Sequence, residues 1–181
     1  MKKQQATRIV AAINAISLTV MRGGKRREAV ENAQICAAHD IKRAIHEFDV
    51  RLARAELAGS MGSAIGGVIQ SAHISFEQSA EWGDDGRCFN TCNATVLLKD
   101  ADGEALNDLD VLFEDDTVES FKANTGFSCI GDWQDDLTQN VPLATYGAAK
   151  CEFNVSSVDA TRLFESGDID AFLTSCQTTC P

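Results

Sequence analysis

Val30, Ala33, Ala37, Ile41, Ala44, Phe48, Leu52 and Ala55 recur at spacings of three or four residues. A helix of 3.6 residues per turn gathers all eight on one face, over about seven turns. Upstream, Ile9, Ile13, Ile16 and Val20 repeat the pattern, and Gly23-Gly24 between the two runs supplies a break. The spacing predicts helices over 4–21 and 27–57, as a hairpin or a kinked pair. The second stripe is rich in alanine, so a close helical neighbour is expected. A two-helix hairpin buries too little surface to stand alone. Ile9, Ile13, Ile16, Val20, Val30, Ala37, Ile41, Phe48 and Leu52 are therefore the expected assembly face, turned toward other subunits.

Charge divides the chain at the same place. Residues 1–58 carry 11 Lys/Arg against 6 Asp/Glu, whereas residues 59–181 carry 5 against 21, for a net charge of −11. A basic arm and an acidic body follow, and nucleic acid is a plausible partner only for the arm. The chain of 181 residues is 44% hydrophobic, enough to build a core. It has no run of 18 apolar residues, so no membrane span is expected. Its first 21 residues begin basic and apolar like a secretory signal. Asn14, Ser17 and Thr19 interrupt the apolar stretch, and "RGGKRRE" stands where a small-residue cleavage site belongs, so retention of the segment is expected.

Several local features have a sharp and a bland reading. "RGGKRR" suits a nucleic-acid patch, but a solvated inter-helix turn explains it as well. Cys36 and His39 are one turn apart, yet "ICAAH" reads as a small buried thiol. His39 and His46 share a face without the further ligands a closed zinc site needs. "GSMGSAIGG" lacks the Gly-Lys-Ser/Thr of a phosphate loop and reads as a hinge over 59–80, leading into a strand near Val68–Phe76. No cofactor motif is present.

The body, 81–181, holds Cys88, Cys92, Cys129, Cys151, Cys176 and Cys180. Six cysteines predict three disulfides and an oxidising destination. The rival is zinc held by "CFNTC" and "CQTTC", although such pairs usually have two-residue spacing. Asn93-Ala-Thr and Asn154-Val-Ser match the glycan-acceptor triplet. Asp100, Asp102 and Asp108 around Gly103 offer hard oxygen ligands for calcium, without the closing Glu of a full calcium loop. Adjacent acids such as Asp84/Asp85, Asp115/Asp116 and Asp135/Asp136 form no acid–base couple by adjacency alone.

Sliding the chain by 51 residues aligns "EWGDD" with "DWQDD" and "LFEDDTVESF" with "LFESGDIDAF", an apparent internal duplication. "ATVLLKDADGEALNDLDVLFE" (94–114) has alternating apolar residues, an Asp100–Gly103 turn and a closing Val111-x-Phe113. It resembles the opening strands of bacterial invasin-type immunoglobulin-like domains. The resemblance implies a non-catalytic β-sandwich used in surface display. "AAKCEFNVSS" (148–157) reads as a further strand, and "DATRLFESGDIDAFLTS" suits either a strand or a short helix.

The expected fold is α+β: a basic helical arm (1–58), a Gly-rich hinge and first strand (59–80), and an acidic, disulfide-stapled, β-rich sandwich-like domain (81–181). The expected role is a non-catalytic structural subunit, most simply a phage capsid or tail component in the virion, forming a homo-oligomer or larger complex through residues 1–58. A secreted adhesin-like module, or a carboxylate hydrolase around Trp82 or Trp133, are the alternatives.

Overall fold

The structure is a computed structural model that describes residues 24–82, 84, 87–144 and 150–179. The expected helix at 4–21, and with it Ile9, Ile13, Ile16 and Val20, lies outside the described residues, as does Cys180. The chain divides after Val50 into two compact units.

In the first unit, residues 24–50 are helical throughout, as the spacing predicts, and form the start of α1 (Gly24–Ser63). In the second unit α1 continues from Arg51, and Ala53, Leu57, Ala58 and Met61 are buried. The helix overruns the predicted hinge, because Gly59 and Gly62 lie inside it. The reason is packing. A Cβ on Gly62 would come within 2.9 Å of Leu163 Cδ2, so glycine lets the helix approach its neighbour closely. The real break is Ala64–Gln70. There Asn124 donates to the carbonyls of Ala64 (3.2 Å) and Gly66 (3.1 Å), and Gly67 takes a left-handed φ of 59°.

The body is a four-stranded antiparallel sheet in the order β2–β1–β5–β6: β1 (Ser71–Trp82), β2 (Cys88–Lys99), β5 (Lys150–Ser156) and β6 (Gln177–Thr179). A separate two-stranded ribbon, β3 (Asn107–Asp108) with β4 (Val111–Leu112), is tied to β2 through the Asn107 side chain. Four more helices follow or interrupt the strands: α2 (Asp115–Thr125), α3 (Ile130–Ala144), α4 (Ser157–Ser166) and α5 (Ile169–Cys176). One face of the sheet is core, with Ala72, Ile74, Phe76, Val96, Leu98, Cys151, Phe153 and Val155 buried. The register places Ser71, His73, Ser75, Glu77, Asn93, Thr95, Glu152 and Asn154 on the other, polar face. This is the alternation of a sheet covered on one side only. Trp133 lies fully buried edge-to-face against Phe121, with centroids 5.5 Å apart, and its indole N–H donates to Ser60 Oγ at 2.8 Å. Phe76 and Phe153 make a second edge-to-face pair across neighbouring strands.

The α+β class therefore holds, but the β-sandwich does not: among the described residues helices, not a second large sheet, accompany the four strands. The apparent 51-residue repeat is not a structural one. Trp82 ends a strand while Trp133 sits inside α3, and β2 corresponds to a segment whose first residues continue that helix. Asp135 and Asp136 lie in α3 as well. The Asp100 turn forms as predicted. Asp100 Oδ1 accepts from the amides of Asp102 (2.9 Å) and Glu104 (2.8 Å), and Gly103 has a φ of 85°.

Candidate functional site

The helical arm comes first, because there the fold leaves apolar surface without a use. Ile45, Phe48 and Leu52 are between 47% and 51% exposed on α1, and Ala37 and Ile41 are half-buried. Ile41, Ile45, Phe48 and Leu52 follow one another at spacings of four, three and four, the seam pattern of paired helices. The exposed residues of the expected assembly face are thus Phe48 and Leu52. Ile45 belongs beside them and was missed because the alanine stripe drew the face one step to the side. The side chain of Val30 lies outside the described residues. Nearby charges are local: Arg43 bonds Asp40 at 3.2 Å and approaches Glu47 at 3.9 Å, both within the helix.

The described cysteines do not staple the body. Among the described residues Cys36, Cys88, Cys92, Cys129, Cys151 and Cys176 form no disulfide. Strand geometry explains part of this. Cys88 and Cys92 stand four residues apart on β2, so their Cα atoms are about 13 Å apart at ~3.3 Å per residue. A disulfide tolerates about 7 Å. The register sets Cys88 opposite Trp82, Cys92 opposite Gln78 and Cys151 opposite Phe76, so no described cysteine faces another across the sheet. The same spacing removes the zinc reading of "CFNTC". Burial raises the thiol pKa of Cys92, and that of Cys176 to about 11, so both remain protonated at neutral pH and are poor ligands and nucleophiles. Cys36, expected to be buried, is exposed.

Among the described residues no three His, Cys, Asp or Glu side chains are placed to hold a metal. The calcium candidate shows why. Asp100 spends one carboxylate oxygen on its own turn, Asp108 belongs to β3, and Asp102 is exposed. On the polar face of the sheet a shallow cavity of about 190 Å³ is lined by Ser71, His73, Lys99, Asn154 and Ser156. Its groups do not form a nucleophile–base relay. His73 Nδ1 meets Asn154 Oδ1 at 2.7 Å, and the Ser156 hydroxyl bonds Asp159 in the capping box of α4. Trp133 is core, not cleft. Asn93 and Asn154 of the two acceptor triplets are both exposed on this same face.

A second exposed apolar patch was missed altogether. Leu109, Val111 and Phe113 are 56% to 69% exposed in the ribbon between β2 and α2. Their alternation reads as an ordinary strand, and only the fold shows that it faces outward. Among the described residues no helix is long and apolar enough to cross a membrane.

No family model, curated protein or solved structure matches this chain.

Proposed function

We propose that the protein is a non-catalytic structural subunit that assembles with copies of itself through the α1 arm and displays its acidic body. The observation that carries this reading is the pair Ile45 and Phe48, about half exposed on the helix of the first unit, which ends at Val50. Large apolar side chains in register along a helix gain nothing in water and gain burial when a second helix lies against them. The occupant is a second copy, because the flanking charges complement one another in either direction of pairing. Lys42 meets Asp49 of an antiparallel partner helix, and Arg51 meets Glu56 of a parallel one.

A repeated particle such as a phage capsid or tail is the setting that suits an arm-and-body subunit. The adhesin-like and hydrolase readings have no specific observation in their favour. Phe48→Glu puts a charge in the centre of the seam and nowhere near the core. It is expected to reduce the mass in solution to that of the monomer while the circular dichroism stays unchanged. An unaltered mass would remove the seam from the account.

A further inference from the structure

The ribbon at 107–113 packs Leu112 against the core and turns Leu109, Val111 and Phe113 outward. Asn107 is only 2% exposed, and its side chain is fully used. Oδ1 accepts from Leu98 N at 2.7 Å, and Nδ2 donates to Val96 O at 3.0 Å and Leu109 O at 2.8 Å. This clamp fixes Leu109 at a φ of 50°, a left-handed conformation that a leucine adopts only under constraint. Phe113 N–H donates to Leu106 O at 3.0 Å. The register pairs Asn107 with Leu112, which packs against the core, and Asp108 with Val111, which points away from it. Leu109, Val111 and Phe113 are thus presented to solvent on a tied backbone, at a cost in strain and exposed apolar area that the fold itself does not need.

Around these three stand Asp108, Asp110, Glu114, Asp115 and Asp116, all exposed, and no Lys or Arg occurs from 107 to 121. The occupant that fits is apolar and strongly cationic. Residues 1–27 of the same sequence carry seven Lys/Arg and no Asp/Glu, with Ile9, Ile13, Ile16 and Val20 at spacings of four, three and four. We propose that the Leu109–Val111–Phe113 patch with its acidic rim is the docking surface for the basic N-terminal segment, residues 1–27, of a second copy. This deepens the assembly reading and rests on it. The contact joins two different surfaces, so it is heterologous, unlike a two-fold seam, and it adds to the seam without holding copies together by itself. The acidic rim also disfavours an anionic lipid surface as the occupant.

The test is a charge exchange in the full-length protein, read by sedimentation over a dilution series. Asp108→Lys with Asp110→Lys and Glu114→Lys reverses the rim; Lys25→Glu with Arg26→Glu and Arg27→Glu reverses the segment. Each set alone is expected to raise the concentration of half-assembly by about tenfold or more. Both sets in one chain, or an equimolar mixture of the two variants, are expected to restore assembly, which no loss of folding would do. Neutral Val111→Ser with Phe113→Ser is expected to weaken it without any charge change. Unchanged assembly in the rim variant, or a loss that neither the double set nor the mixture restores, overturns the proposal. If Phe48→Glu disperses the protein while the rim variant does not, the assembly reading stands and this contact falls.

Discussion

The two lengths of α1 both carry apolar residues at helical spacing and meet different fates. From Arg51 onward Ala53, Leu57, Ala58 and Met61 are buried, and Arg54, half-buried itself, reaches Asp170 at 2.9 Å and the carbonyl of Ala144 at 3.0 Å. Before it, Ile45 and Phe48 are about half exposed. A helix contributes to stability mainly through the face it packs. The body length is therefore part of the fold, and the arm length is surface kept for something else. Buried apolar residues in the first place are expected to cost stability when removed; exposed ones in the second are expected to cost the proposed assembly instead.

The largest effect that would break this contrast is at the core. Trp133→Ala is expected to destabilise the body by about 3–5 kcal/mol in denaturant titration, since it empties the centre of the core and orphans Ser60 Oγ. Phe48→Ala in the same titration, at a concentration where the protein is dispersed, is expected to shift stability by less than about 0.5 kcal/mol. Equal losses from the two would erase the distinction between body and arm.

A smaller effect sharpens the boundary on the body side. Ser156→Ala removes the N-cap of α4, whose hydroxyl accepts from Asp159 N at 3.2 Å, and is expected to cost about 1 kcal/mol with no change in assembly. The smallest concerns the thiols. Cys176 is buried with its pKa raised to about 11, so the unfolded chain ionises first as pH rises. Its contribution is complete below the ordinary thiol pKa and is lost as pH rises toward about 11. Cys176→Ala is expected to flatten that alkaline decline, and an unchanged pH–stability curve would contradict it. In the native protein iodoacetamide is expected to label Cys36, Cys88 and Cys129 well before Cys151 and Cys176, which follow only on unfolding.

How far the sequence carries depends on whether a signal is local. The arm helix was legible from its spacing, and the Asp100–Gly103 turn from its residues, because both are short-range. α3 carried an equally clear stripe in Ile130, Trp133, Leu137, Val141 and Ala144. It was obscured by the intervening Asp and Asn and by Pro142, which lower helix propensity without altering which face packs. Gly62 misled in the opposite sense, because it serves the close approach of Leu163 and not a break in the helix. The cysteines failed for a topological reason. Counting them assumes that the fold brings them into pairs, and the β1–β2 and β1–β5 registers set Cys88, Cys92 and Cys151 opposite Trp82, Gln78 and Phe76 instead. The Leu109–Phe113 patch was invisible because alternation gives a face but not which side of it is wet.

The central claim is that the arm exists to join copies of this chain. Sedimentation equilibrium of the full-length protein, diluted from about 1 mM to about 1 µM, a span covering roughly 4 kcal/mol of association free energy, tests it most directly. The account predicts a mass above the 19.5 kDa monomer that falls on dilution and is lost in Phe48→Glu. A single 19.5 kDa species at every concentration would contradict it.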